Sequence, residues 1–393
     1  MTSSTPFSQP NDIAQQHSDR LLAVIQQQIT QSGGKIRFAD YMQLCLYYPG
    51  LGYYSAGSQK IGPLGDFTTA PEISPLFSQT LARQLQDVSQ QLAAFDLLEF
   101  GAGSGKMAID ILLQLEKDQA LPSHYYIIEA SADLQSRQCE QMALTIPHLV
   151  NKVSWLTALP TDFVGIILAN EVCDAMPFHR LHFRHGQPTE CTVEEGEAGL
   201  QWAQQTLLNK ALSSRGDLIH QINGGDDYFA EVNLAAEAWL VSLAACLQQG
   251  AIFIIDYGHC RDSYYHPQRQ QGTMMCYYQH QGHDNPLILP GLQDITSHVD
   301  FTALAETALA SGLDVESFQS QADFLLAGGI TELVPSNEPD ISIDAFDDLQ
   351  QKTAIKRLTL PSEMGETFKV LTLSKGLPDV LPRLQLADRR YSL

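Results

Sequence analysis

Three things are scarce in this chain of 393 residues: basic charge, paired cysteines and long apolar runs. Lys and Arg number 23 against 45 Asp and Glu, a net charge of −22. A grip on a phosphate backbone needs clustered Lys and Arg, so the balance argues against nucleic acid as a partner. An acidic surface suits a basic partner, or solubility alone. The seven cysteines are odd in number and form no C-x-x-C pair, which reads as reduced, mostly packed thiols. No apolar run approaches membrane-spanning length, so no membrane insertion is expected. Met1 to Arg20 lacks the apolar core of a signal peptide. It carries Asp12 and Asp19 with a single Arg, a poor match to a mitochondrial transit peptide. A cytoplasmic location is the expectation, and the oligomeric state is not readable.

What is present is a glycine-rich turn between a strand and a helix. Apolar Leu97 to Phe100 runs into Gly101-Ala102-Gly103-Ser104-Gly105-Lys106, and Met107 to Leu115 has helical character. The glycines allow a tight turn and let a ligand lie against the backbone, while the first amides of the helix point at it. Nicotinamide-binding folds use G-x-G-x-x-G, whose third glycine lets helix and strand pack closely. Here that position is the bulky, charged Lys106. The G-x-G-x-G form, preceded by Glu99, is the one carried by Rossmann-like S-adenosylmethionine (SAM) methyltransferases. Glu129 closes the next apolar strand, where a carboxylate can accept both ribose hydroxyl hydrogens. The expected cofactor is therefore SAM, with Glu99, Gly101, Ala102, Gly103, Gly105, Glu129 and Ala130 at its site.

Strands and helices alternate from Phe95 onward, the pattern of a parallel sheet. The candidate strands are 97–100, 125–129, 153–155, 165–170, 251–256, 314–318 and 368–373. This predicts an α/β fold: a Rossmann-like, seven-stranded core with an N-terminal helical lid region and inserted α+β segments. The expected division is a disordered tail over 1–12, a helical and lid region over 13–92, and a core over 93–180 and 229–393. An inserted β-hairpin segment occupies 181–228, and a second insertion, rich in His and Tyr, occupies 260–299. Residues 73–92 read as one helix.

Two further strand ends carry polar groups. In an open parallel sheet the carboxyl ends of the strands face the ligand crevice. Asn170, Glu171 and Asp174 would sit there, and two carboxylates can hold a guanidinium as a bidentate pair. The alternative is a helix cap by Asn170 or Asp174. Asp256 and His259 close another buried strand, facing the crevice or stabilising a turn. Gly62 to Glu72 either folds over the cofactor, or Thr69 only caps a helix that starts near Pro71. His259, His266, His280, His283 and His298 show no ligand spacing beyond His280-x-x-His283, so no metal is expected.

Taken in order, these blocks resemble the MidA-like family of SAM-dependent methyltransferases. The resemblance runs through Tyr47 to Tyr54, Gly65 to Ser74, Glu99 to Gly105 and Ile127 to Ser131. It continues through Ala169 to Pro177, Ile255 to Gly258, Gly272 to His280 and Pro290 to Phe301. It implies a Rossmann-like fold with an extra lobe and a lid. SAM would lie on Gly101, Gly103, Gly105 and Glu129, with Gly65, Asp66 and Phe67 lining its pocket. It also implies transfer of methyl groups to an arginine of a protein, as in the mitochondrial members, which are complex I assembly factors. The chain departs from the family at Ala102, often Pro, near Met275, where the family often has a basic residue, and at Cys173, often aromatic. On this reading Glu171 and Asp174 orient the guanidinium, with Asp256 or His298 as helpers. A competing reading is a SAM-binding assembly factor that acts mainly by holding a partner.

Overall fold

Strands rich in Ile, Leu, Val and Phe, broken by glycine turns, assemble a central sheet buried on both faces. The structure, a computed structural model, describes residues 9–56, 68–334 and 345–393. Gly65, Asp66 and Phe67 of the expected pocket lining lie outside the described residues, as do Met1 to Ser8 of the expected tail. The core strands are β1 (Asp96–Phe100), β2 (Tyr125–Ile128), β3 (Val153–Trp155), β4 (Phe163–Asn170), β5 (Leu247–His259), β6 (Asp314–Ser320) and β7 (Phe368–Lys375). They lie in the order β6-β7-β5-β4-β1-β2-β3. Strands β1 to β5 pair in parallel, and β7 inserts antiparallel between β5 and β6. The chain is thus α/β with a mostly parallel central sheet.

The sheet has eight strands rather than seven. Strand β5 runs on past Asp256 to His259, and the two-residue strand Val299–Asp300 pairs in parallel with Gly258 and His259. One face is covered by helices Pro75–Ser89 and Lys106–Lys117, through Leu81, Leu85, Ile111 and Leu115. The other is covered by Leu234–Cys246 and Phe301–Ala310, through Leu240, Leu243 and Leu304. The helix expected over 73–92 is divided: Ala70–Ile73 ends at Ser74, which is extended at φ −163° and ψ 144°. Pro75 disfavours helical geometry at the residue before it, and Ser74 instead caps the next helix, its hydroxyl accepting from the Leu76 amide at 3.2 Å.

The inserted segment is more than the hairpin expected over 181–228. Strands His179–Arg184, Gln187–Gly196 and Gly199–Thr206 form a meander, helix Lys210–Asn223 follows, and Tyr228–Val232 returns beside His179–Arg184. The lobe therefore reaches beyond both expected boundaries. Its sheet is completed from the amino-terminal region, because Lys35–Arg37 pairs antiparallel with Thr192 to Glu194. Asn11 caps helix Asp12–Gln31, which buries Leu21, Ile25 and Ile29. Together with helix Phe38–Tyr47 it packs on a small sheet of Met275–Tyr278, Gln281–His283 and Asp294–Thr296.

The start of the parallel sheet leaves no room for side chains at two glycines. A Cβ on Gly165 (φ 151°) would lie 2.0 Å from the Asp96 carbonyl oxygen, and one on Gly250 would lie 1.8 Å from that of Gly165. Backbone blocks both, so neither contact is relieved by a rotamer change. Gly165→Ala should cost at least about 2 kcal/mol of stability. Urea unfolding followed by circular dichroism checks this, and an unchanged midpoint would refute the close approach.

Candidate functional site

The strand order reverses about β1, with β2 and β3 to one side and β4 and β5 to the other. In an open α/β sheet such a reversal opens a crevice at the carboxyl ends of the strands. Phe100 of β1 and Ala169 of β4 are register partners, so the loops that follow them start side by side. After β1, Gly101, Gly103 and Gly105 take left-handed φ values of 62°, 58° and 82°. Gly105 is the cap of helix Lys106–Lys117. Lys106, which replaces the third glycine, turns along its own helix to pair with Asp110 at 2.7 Å. A Cβ on Gly101 would approach Val172 Cγ2 to 3.6 Å, so the glycine loop faces the loop after β4.

Glu129 stands at the end of β2 and is tied to that loop. Its carboxylate accepts from the Ser131 amide at 3.0 Å and from Gln138 Nε2 at 3.1 Å. Gln138 also donates to the Gly103 carbonyl at 2.9 Å and is itself fixed by Trp155 Nε1 at 2.8 Å. Burial raises the Glu129 carboxyl above its ordinary range, while backbone bonds from Ser131, Gly103 and Ala130 pull the other way. Ala130 beside it is exposed. Glu99 differs from expectation. It is 1 % exposed, accepts the Tyr125 hydroxyl at 2.7 Å, and is pushed up by burial to about 7. Its carboxyl is committed inside the fold rather than displayed beside the glycines.

The loop after β4 brings Asn170, Glu171 and Asp174 together. Glu171 has a φ of 54°, which costs a residue with a side chain about 1 kcal/mol. Its amide, donated to the Ile255 carbonyl at 2.9 Å, holds it there. Asn170 Nδ2 donates to Glu171 Oε1 at 3.2 Å, and Asn170 Oδ1 is buried without a hydrogen-bond partner among the described residues. Burial and the neighbouring Asp174 raise the Glu171 carboxyl to about 8. Asp174 is raised by burial to about 6, against a short hydrogen bond from the Tyr257 hydroxyl that lowers it.

Asp256, expected to face the crevice or to stabilise a turn, does the second. It is fully buried and accepts the amides of Cys173 at 3.0 Å, Asp174 at 3.2 Å and Tyr257 at 2.9 Å. Through these three amides its carboxylate positions the loop. His298 lies one layer further away. Its ring centroid is 5.3 Å from that of Tyr257 and 5.1 Å from that of His259. Burial lowers its imidazole to about 4, so it is neutral at ordinary pH.

Four side chains at the site were missed in the sequence. Tyr257 directly follows Asp256, and that adjacency was its available signal. Tyr47 donates to the Ala175 carbonyl at 3.0 Å and stacks on Tyr54 with centroids 5.5 Å apart. The Tyr54 hydroxyl donates to Asp294 at 3.0 Å. Tyr47 and Tyr54, like Asp294, lie in stretches that carry the family resemblance, but nothing local singles out these side chains. Among the described residues no group of three or more His, Cys, Asp or Glu could hold a metal ion.

The cradle fits SAM: a left-handed glycine turn leading into a helix N-terminus, a carboxylate at the adjacent strand end, and a buried amide oxygen, Asn170 Oδ1, without a hydrogen-bond partner among the described residues. Fold and site together define a Rossmann-like methyltransferase. The model of a family described as SAM-dependent methyltransferases matches residues 80–319, and the chain belongs to that family, the MidA-like methyltransferases. A protein from Burkholderia thailandensis, solved with S-adenosyl-homocysteine bound, is 38% identical and superposes with a TM-score of 0.93 over 98% of this chain and 100% of its own. A protein arginine methyltransferase NDUFAF7 homolog of Drosophila melanogaster, mitochondrial by name, is 28% identical over 88% of this chain and 83% of its own. The Homo sapiens protein of that name is 26% identical over 98% and 88%. These mitochondrial relatives overturn the cytoplasmic expectation, which leaned on the composition of the first residues. Among the described residues no helix is long and apolar enough to cross a membrane.

Glu99 generates a test of this description. Its folded-state pKa lies above the unfolded carboxyl value of about 4.3, so the folded chain binds the extra proton. The stability it contributes is complete below about pH 4.3 and is lost as pH rises through about 7. Glu99→Gln should flatten the fall in stability across that window, measured by urea unfolding at successive pH values.

Proposed function

We propose that the chain transfers methyl groups from SAM to an arginine side chain of a protein substrate. The observation that carries this reading is the pair of carboxylates, half-buried Glu171 and buried Asp174, held opposite the glycine loop. Asp294 and the rings of Tyr47, Tyr54 and Tyr257 adjoin the pair. Carboxylates and aromatic faces together suit a planar cation such as guanidinium. The relatives named as protein arginine methyltransferases support the same acceptor.

Gly101, Ala102, Gly103 and Gly105 would hold SAM by their backbone, Glu129 with Ala130 its ribose, and Asn170 its methionine end. Bound SAM supplies a methyl group already activated on a sulfonium. Glu171 and Asp174 then fix the guanidinium in line and take the single proton its nitrogen loses as the new N–C bond forms. Asp256 and the Tyr257 hydroxyl keep that pair in place. The segment Tyr47 to Tyr54 acts as the inner wall of a lid that excludes water.

Gly103→Val forces a branched side chain onto a φ of 58° and should abolish SAM binding in calorimetry while the far-ultraviolet circular dichroism is kept. Intact affinity would sink the cofactor assignment. For the chemistry, the acceptor must meet ionised carboxylates. With Asp174 near 6 and Glu171 near 8 in the free protein, kcat/KM should climb from pH 6 to pH 8. Glu171→Gln should lower kcat by about 100-fold, erase the upper part of the climb and leave SAM affinity intact. The assay is transfer of labelled methyl groups to arginine peptides and lysate proteins. Absence of any labelled acceptor despite tight SAM binding would favour the partner-holding reading instead.

A further inference from the structure

A cavity of about 690 Å³ lies between the inserted five-stranded lobe and the chain around Arg269 to Met275. Arg180, Trp202, Phe229, Arg269 and His298 are among its lining residues. Three arginines line it, Arg180, Arg184 and Arg269, against a single acidic lining residue, Asp284. That is a concentration of positive charge in a chain whose net charge is −22.

Arg180 is built into the wall, Arg269 is half-buried and Arg184 stands exposed at the rim. Arg180 is 8% exposed, with its guanidinium 4.7 Å from the centroid of Phe229 and 5.3 Å from that of Trp202. One Nη donates to the Gln271 carbonyl at 3.1 Å, and its Nε is buried without a hydrogen-bond partner among the described residues. The carboxylate of Glu231 is 3.8 Å from that Nε, but its other oxygen is engaged by the Thr273 amide at 2.8 Å and hydroxyl at 3.1 Å. Arg269 Nε donates to the Ser263 carbonyl at 2.8 Å, and its two terminal nitrogens make no hydrogen bond among the described residues. His298 Nδ1 is likewise buried without a partner. Arg269 is among the charges that keep the imidazoles of His259 and His298 neutral, after burial itself. The cavity adjoins the reacting cluster through His298, whose ring meets that of Tyr257, the residue bonded to Asp174.

We propose that this cavity takes a carboxylate side chain, Asp or Glu, of the acceptor protein, a few residues along from the arginine to be methylated. The inference rests on the arginine-acceptor reading above. The two sites have opposite signs: carboxylates at the methyl-transfer end and guanidinium groups at the other. An acceptor segment carrying Arg and an acidic residue at matched spacing meets both in one orientation only. A segment with Lys at the second position would bring a like charge against Arg269, so the cavity also rejects wholly basic segments.

The test uses the full chain loaded with S-adenosyl-homocysteine and short Gly/Ser peptides with one Arg. A single Glu, Gln or Lys is placed at increasing distance on either side of that Arg. Binding is read from labelled-peptide anisotropy and from the fluorescence of Trp202 in the wall. At one favoured spacing the Glu peptide should bind about tenfold more tightly than the Gln peptide, and the Lys peptide more weakly than both. Arg269→Glu should turn the preference toward Lys and leave the calorimetric affinity for S-adenosyl-homocysteine unchanged. Equal binding of the three peptides at every spacing, or a Glu preference that survives Arg269→Glu, overturns the proposal. Methyl transfer to the same peptides separates the two readings. A Glu preference in binding without any transfer overturns the arginine reading and keeps the carboxylate site, while transfer indifferent to Glu does the reverse.

Discussion

The site hangs on one buried carboxylate. Asp256, in the last third of β5, gathers the amides of Cys173, Asp174 and Tyr257, and so ties the loop after β4 to the neighbouring strand. With that loop anchored, the Glu171 amide reaches the Ile255 carbonyl, and the left-handed backbone of Glu171 is over-determined rather than merely tolerated. Strain of this kind is stable only where neighbouring bonds leave no cheaper arrangement. The same anchorage sets Tyr257, and through it the oxygen atoms of Asp174.

The electrostatics follow from crowding. Glu171, Asp174 and Asp256 lie close together in a water-poor region, and each holds its proton more firmly than a solvated carboxyl would. A cation entering this region relieves the repulsion, so the cluster is poised for a positively charged visitor. The fold carries the burden through the Asp256 hydrogen bonds and through the close contact of β1, β4 and β5 at Gly165 and Gly250. Stability is thereby built into the backbone end of the sheet opposite the chemistry.

Local patterns carried much of this. Apolar runs located β1, β2, β4 and β5 to within a few residues, because buried parallel strands write themselves as continuous hydrophobic stretches, and 153–155 was read with its observed limits. The glycine turn and Glu129 were legible since both depend on short-range geometry. Pairings between distant segments were not. Lys35–Arg37 shows no alternation that foretells its partner near Val193, and the two residues Val299–Asp300 are too few to carry a period. Side-chain direction was equally hidden: Asp256 and Glu99 stand at strand positions that suit a ligand site, yet their carboxylates close on Tyr257 and the neighbouring amides, and on Tyr125. Asp294 joins the site through a small sheet that no sequence window contains.

The strand Lys35–Arg37 has a consequence for how the molecule is made. It leaves the ribosome well before the stretch around Val193 against which it pairs. Until that stretch arrives, the opening helices have only part of their apolar cover and the lobe's sheet lacks an edge. Synthesis proceeds at about 5–20 residues per second, so this interval lasts on the order of ten seconds. The nascent amino terminus must stay unaggregated through that wait, which makes it the stretch with most to gain from a holding chaperone.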